Sequence, residues 1–190
     1  MHSLVVKLAD YCVDKKIIES EHTEWFVYGL EKRFYTVFVA IPFLILATVL
    51  SSVPCAISFF FAFFILRGYI GGFHASTIWW CLIISLLSES VILCLVYPFL
   101  SGIVIACITI LCVFCIFALA PYNHPNMHWT NEELVACRKI SRLRSVLLSA
   151  GIVISSILGF SEIAKGFTLS IALATAMLCL GYIFDRRISK

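Results

Sequence analysis

Apolar residues gather in six runs, at 35–53, 55–66, 77–97, 101–120, 145–160 and 166–184, with polar residues concentrated between them. A helix crossing the bilayer needs about 20 apolar residues, within a range of about 17–25. The pattern therefore predicts an all-α, polytopic membrane protein with six transmembrane helices. The first run closes at Ser51-Ser52-Val53-Pro54. The second and fifth are short and must recruit flanking residues, thin the bilayer or re-enter it. Residues 1–34 follow another pattern. Leu4, Val5, Leu8, Tyr11 and Cys12 recur at helical spacing, with Lys7, Asp10 and Asp14 on the other side. A second piece, from about Thr23 to Arg33, carries Trp25, Phe26, Tyr28 and Leu30. N-terminal amphipathic interfacial helices, with aromatics at headgroup level, fit this pattern. A soluble helical hairpin packed on the remainder fits it equally well.

Composition supports the membrane reading. Charged residues make up 13% of the 190-residue chain and apolar residues 62%, and the mean hydropathy is +1.02. Soluble domains average about 25% charged and about 45–50% apolar. Such an excess cannot be hidden inside a globule this small, where surface is large relative to volume. One membrane domain over 1–190 is expected, with interfacial helices at 1–34 and a bundle at 35–184 joined by cytoplasmic loops 67–76 and 121–144. No internal repeat interrupts it. The first thirty-three residues lack an apolar stretch followed by a small-residue cleavage site, so the N-terminus is expected to be kept.

Charge adds orientation. With the N-terminus inside, segments 1–34, 67–76, 121–144 and 185–190 are cytoplasmic, and they hold every Lys and Arg except Lys165, thirteen of fourteen. Both termini are then cytoplasmic. The basic balance is topological, and no nucleic-acid partner is implied. Of nine cysteines, Cys55, Cys94, Cys107, Cys112 and Cys115 sit within apolar runs, where a thiol behaves as a small hydrophobe. Cys112 and Cys115 read C-x-x-C but lie in an uninterrupted apolar run without a partner pair, which disfavours a zinc or redox site.

Candidate chemistry concentrates in Arg67-Gly-Tyr-Ile-Gly71-Gly72-Phe-His74-Ala-Ser-Thr-Ile-Trp79-Trp80-Cys81. Cysteine is the most nucleophilic side chain near neutral pH, and a nearby imidazole can deprotonate it. A cytoplasmic position would keep the thiol reduced. The spacing sets a condition. Seven residues on one straight helix share a face but lie about 10.5 Å apart along the axis. Hydrogen bonding needs about 2.6–3.2 Å. His74 and Cys81 can therefore pair only if the chain bends, and Gly71-Gly72 permits the bend. His74 is expected on a loop folded back over a helix that starts near Ser76 or Thr77, both suitable N-caps. Cys81 would then fall in that helix's second turn, where the dipole has faded, leaving activation to His74.

The pattern Arg67-x-x-x-Gly71-Gly72-x-His74-Ala75-x-x-x-x-x-Cys81 resembles the signature of the AgrB family, membrane endopeptidases of Gram-positive quorum-sensing systems. Two further segments agree: Tyr28-Gly29-Leu30-Glu31 and Ala120-Pro121-Tyr122-Asn123-His124-Pro125-Asn126. The likeness in hydropathy and segment order covers nearly the whole chain. It implies a bacterial cell-membrane protein with His74 and Cys81 as the catalytic pair and Arg67 and Gly72, beside Gly71, in support. The implied substrate is a short AgrD-like propeptide with an amphipathic leader and an acidic tail. Cys81 would attack the peptide carbonyl with His74 as general base, leaving a thioester that an internal Cys or Ser captures as a thiolactone or lactone.

Other residues carry less. Glu31 is a candidate to orient His74, although an ordinary solvated helix carboxylate fits the sequence better. His124 and His128 are four apart, but Pro125 breaks any helix between them, so neither metal nor cofactor is expected. Glu89, beside Ser85, Ser88 and Ser90, should face the bundle interior and bond across helices, or else touch substrate. Apart from the bilayer and the propeptide, a homodimer is compatible with short spans, although the oligomeric state stays open. The rival functions are a six-span peptide exporter without catalysis and a membrane scaffold. A short adjacent reading frame encoding a leader, an internal Cys or Ser and an acidic tail would favour the peptidase.

Overall fold

The computed structural model describes residues 2–15, 17–19, 23–73, 77–123 and 129–188. Among them run seven helices: α1 (His2–Asp14), α2 (Thr23–Leu50), α3 (Val53–Ile70), α4 (Ile78–Leu95), α5 (Gly102–Leu119), α6 (Asn131–Ile157) and α7 (Ser161–Ile188). A 3₁₀ turn at Tyr97–Phe99 follows α4. The chain forms two compact units, residues 1–42 and 43–190.

In the first unit, Val5 and Ala9 of α1 are buried while Leu8 and Tyr11 are exposed. The inward line is thus narrower than the expected stripe. The amphipathic piece at 23–33 and the apolar run at 35–53 prove to be parts of one helix, α2. No glycine or proline separates Arg33 from Thr36, so nothing interrupts the hydrogen-bond ladder. The helix passes through Pro42 and ends at Leu50, where Ser51 turns its N–H and Oγ back onto the Ala47 carbonyl.

Five helical stretches are long and apolar enough to cross a membrane: Val53–Ile70, Trp79–Phe99, Gly102–Leu119, Asn131–Ile157 and Ser161–Ile183. Thr36–Leu50 is a shorter apolar helix in the place of the first expected span. The chain is therefore an all-α, multi-pass membrane protein. Three boundaries depart from expectation. α3 continues through Arg67 to Ile70, because the guanidinium reaches past the helix end for its partner. α6 starts at Asn131, well inside the expected loop 121–144. Its start is a capping box: Thr130 Oγ1 accepts from Glu133 N at 3.3 Å and Glu133 Oε2 accepts from Thr130 N at 2.8 Å. Gly159, at φ 79°, follows its last turn and separates it from α7.

In the second unit α7 packs along α3, α5 and α6, and α3 also packs on α6. Small residues let α7 and α3 approach closely. A Cβ on Gly166 would overlap Ser58 Oγ and lie 2.5 Å from the Cys55 carbonyl oxygen. One turn on, Ser170 Oγ donates to the Phe59 carbonyl at 2.8 Å. Packing of this kind, with short polar bonds between backbones, replaces the hydrophobic drive that lipid cannot supply. Phe43 stacks on Phe59 and Phe63 at 5.3 and 5.0 Å. By contrast the outer faces of α4, α5 and α6 present large apolar side chains such as Leu87, Phe114 and Leu147, which suits contact with acyl chains.

At one end of the bundle, Ser52 Oγ and Tyr97 Oη donate to Glu162 Oε2, and Lys165 Nζ pairs with Glu162 Oε1 at 2.7 Å. Lys165 is the one basic residue outside the expected cytoplasmic segments, and here its charge is balanced locally.

Glu89 is fully buried in α4, as expected of an intramembrane acid, but it does not bond across helices. Neither carboxyl oxygen has a hydrogen-bond partner among the described residues. Ser88 and Ser90 turn their hydroxyls onto the Ile84 and Leu86 carbonyls of their own helix instead. A buried polar group without a partner costs about 1–3 kcal/mol. Glu89→Met should therefore raise stability by about that much, read as resistance to unfolding in mixed detergent–SDS micelles. A drop in stability would mean that some donor engages the carboxyl.

Candidate active site

The end of the bundle away from Glu162 holds the candidate residues read from the sequence. α3 stops at Ile70 because Gly71 adopts φ 73° and ψ −146° and Gly72 follows at φ 110°. Both angles lie where residues with a Cβ are strained. The expected break at Gly71-Gly72 is thus present.

The turn is held on two sides. The Ile70 carbonyl accepts from Tyr122 N at 2.9 Å, and Gly71 pairs with Tyr122 in an isolated parallel bridge. Phe73 N donates to the Met177 carbonyl of α7 at 2.9 Å. Room for this second contact comes from Gly181, whose added Cβ would lie 2.9 Å from Phe73 N. The Tyr122 segment is itself anchored. Its ring packs on Tyr182 at 4.6 Å, and Tyr182 Oη donates to the Leu119 carbonyl at 2.7 Å. Asn123 bonds both backbone groups of Trp129, drawing the two ends of the α5–α6 connection together.

Arg67, in the last turn of α3, donates from Nη2 to the Phe73 carbonyl at 2.7 Å. Its cation also sits favourably at a helix C-terminus. Two arginines of α6 act alike: Arg142 donates to the Phe117 carbonyl at 2.8 Å, and Arg144 donates to the Ile65 carbonyl and stacks over Tyr69 at 4.0 Å.

α4 begins after Thr77, whose side chain accepts from Trp80 N at 3.3 Å. Thr77 is one of the two caps expected. Cys81 N donates to the Thr77 carbonyl at 3.0 Å, so Cys81 opens the second turn, as anticipated. Its side chain is half-buried. Trp79 and Trp80 beside it are exposed, as aromatics at a membrane–water interface are.

The structure thus brings Arg67, Gly71, Gly72 and Cys81 to one end of the bundle. His74 lies outside the described residues, as do His124 and His128. Glu31 belongs to α2 in the first unit, and its side chain lies outside what is described. Sequence reasoning assigned no role to Tyr122, Gly181 or Tyr182. Tyr122 stands in the quoted Ala120–Asn126 segment and could have been singled out there, whereas Gly181 and Tyr182 are ordinary residues of an apolar run.

Compared with known proteins, residues 5–180 match the family model described as AgrB: Accessory gene regulator B. No curated protein and no solved structure matches the chain.

Proposed function

The chain belongs to the AgrB family, and from that premise we propose that it is a membrane cysteine endopeptidase acting through Cys81 and His74. Membership alone makes it a multi-pass membrane protein of agr quorum-sensing peptide processing, with a propeptide as substrate. The observation supporting the finer reading is Cys81 itself. It is a half-buried thiol at the start of α4, following a braced glycine turn and at the same end of the bundle as the Arg67 guanidinium.

In this reading His74 takes the thiol proton and Cys81 Sγ bonds to the scissile carbonyl carbon. The peptide C–N bond then breaks, the proton passes to the departing amine, and the C-terminal tail leaves. The remaining peptide is a thioester on Cys81. A Cys or Ser within it attacks that carbonyl, closing a thiolactone or lactone ring and returning the Cys81 thiol. Ring closure outcompetes hydrolysis only where water is kept away, and a site at the membrane edge suits that.

The test is to incubate purified protein with the propeptide, quench in acid and map adducts by mass spectrometry. A hydroxylamine-sensitive peptide adduct on Cys81 is expected. An adduct on a different cysteine, or cleavage with no adduct at any time, would overturn the mechanism.

Both termini are proposed to be cytoplasmic, with the Cys81 end of the bundle facing the cytoplasm. Cysteines introduced at 98–100 and 161–164 should then react with an impermeant maleimide added outside, and those at 125–135 should not. The opposite pattern would invert the topology.

A further inference from the structure

We propose that Arg67 Nη1 is the oxyanion donor of this site, holding the scissile carbonyl oxygen while Cys81 attacks. The assignment rests on the peptidase reading above. Arg67 has a divided role. Nη2 closes the glycine turn through the Phe73 carbonyl, whereas Nη1 is buried and has no partner among the described residues. A guanidinium is a rigid planar fork, so fixing Nη2 also fixes where Nη1 points. Buried charged donors are rarely left unbonded in native proteins, and the exceptions call for an explanation. A turn brace would need one donor, and here a second is left over.

The missing acceptor is identified by chemistry. A cationic donor calls for a negatively charged oxygen, and no carboxylate among the described residues is paired with it. Cys81, near the start of α4, lies at the same end of the bundle as the last turn of α3 that carries Arg67, yet Nη1 makes no hydrogen bond to Sγ. A donor at the nucleophile's end of the bundle, with its hydrogen bond still unmade, suits a reacting oxygen as its acceptor. When Sγ bonds to the carbonyl carbon, the C=O electron pair moves onto oxygen. That oxygen becomes the anion the donor lacks. When the oxyanion collapses, the pair returns to the carbonyl and the C–N bond breaks, so Arg67 neither gains nor loses a proton.

The experiment compares wild type, Arg67→Lys and Cys81→Ala, full-length in detergent, using synthetic propeptide as probe. Lysine keeps the charge and can reach the Phe73 carbonyl, but one ammonium cannot also supply the fork's second arm. Arg67→Lys should unfold like wild type and keep the pH profile of Cys81 alkylation by iodoacetamide. Its single-turnover cleavage rate should fall about 10²–10³-fold, the usual loss for one oxyanion donor. An alkylation profile displaced enough to explain the rate loss would overturn the proposal in favour of thiolate stabilisation. A lowered unfolding midpoint with a parallel activity loss would overturn it in favour of a brace. Full-rate cleavage by Arg67→Lys would overturn it outright. Full-rate cleavage by Cys81→Ala would instead remove the peptidase reading beneath it. If Arg67→Lys does not accumulate, the wild type decides with a thioamide at the scissile carbonyl, whose sulfur accepts hydrogen bonds poorly. Cleavage slowed by about 10²-fold or more supports an oxyanion donor, and equal rates overturn it.

Discussion

Cys81→Ala should leave no measurable propeptide cleavage, a fall on the order of 10⁴-fold or more, while Cys137→Ala should cleave at close to the wild-type rate. All nine cysteines are free, so the prediction depends on surroundings rather than on availability. Cys55 and Cys112 are buried in the bundle, and Cys94 and Cys107 are exposed on otherwise apolar helices. Cys137 is the instructive control. It is half-buried early in α6, a helix that starts at the same end of the bundle as α4. What it lacks is the setting of Cys81, which follows the glycine turn at the end of the bundle where α3 ends with Arg67 in its last turn. Removing a covalent nucleophile eliminates a pathway rather than weakening a contact, which explains the size of the effect. Co-expression with the propeptide and mass spectrometry of the products measures it. Undiminished cleavage by Cys81→Ala, or loss of cleavage in Cys137→Ala alone, would place the nucleophile elsewhere.

Gly71→Ala should cost about 3 kcal/mol or more and abolish processing, whereas Gly68→Ala should do neither. The two glycines are three residues apart in the same segment. Gly68 is helical with open space where a Cβ would stand, so alanine there is neutral or gains up to about 1 kcal/mol of helix propensity. Gly71 has dihedrals that only glycine adopts readily, and its Cβ would overlap the Tyr122 carbonyl oxygen. That obstacle is backbone, which cannot rotate aside. Relief would require breaking the bond from Tyr122 N to Ile70, and with it the bracing of the turn. Gly72→Ala should follow the same direction, since its Cβ would lie 2.7 Å from the Met177 carbonyl oxygen. Unfolding in SDS–detergent mixtures and propeptide cleavage report the two effects. Wild-type stability in Gly71→Ala would show that this turn is not what holds the site.

Much of the site was legible because its chemistry is local. The Gly71-Gly72 break follows from glycine's freedom at positive φ, and the Thr77 cap from a hydroxyl beside an apolar run. The place of Cys81 in the second turn then follows by counting. Helix ends near charges were harder to read. Hydropathy marks where apolar residues stop, but a helix continues while its backbone bonds and caps allow. α6 accordingly extends back to Asn131 through Arg144, Arg142, Lys139 and Arg138, with arginines bonded to the carbonyls of α3 and α5. The same distinction joins 23–33 to the first apolar run in α2. Glu89 departed from expectation for a different reason. A bond across helices was expected, but no donor from a neighbouring helix reaches the carboxyl among the described residues, and the adjacent Ser88 and Ser90 satisfy themselves on their own backbone.

By itself the sequence determined an all-α membrane protein, its runs of span length and the glycine turn, and it singled out the residues of the candidate site. All of these depend on composition and short-range spacing, which the linear chain carries in full. Only the tertiary structure decided that the turn is braced by Tyr122 and α7, that Gly181 makes room for it, and that Glu89 has no hydrogen-bond partner among the described residues. It alone also decided that Arg67 bonds the Phe73 carbonyl through Nη2 while Nη1 is left without a partner among the described residues. Those facts join residues distant along the chain, and their meeting depends on how the helices pack, which no local pattern encodes.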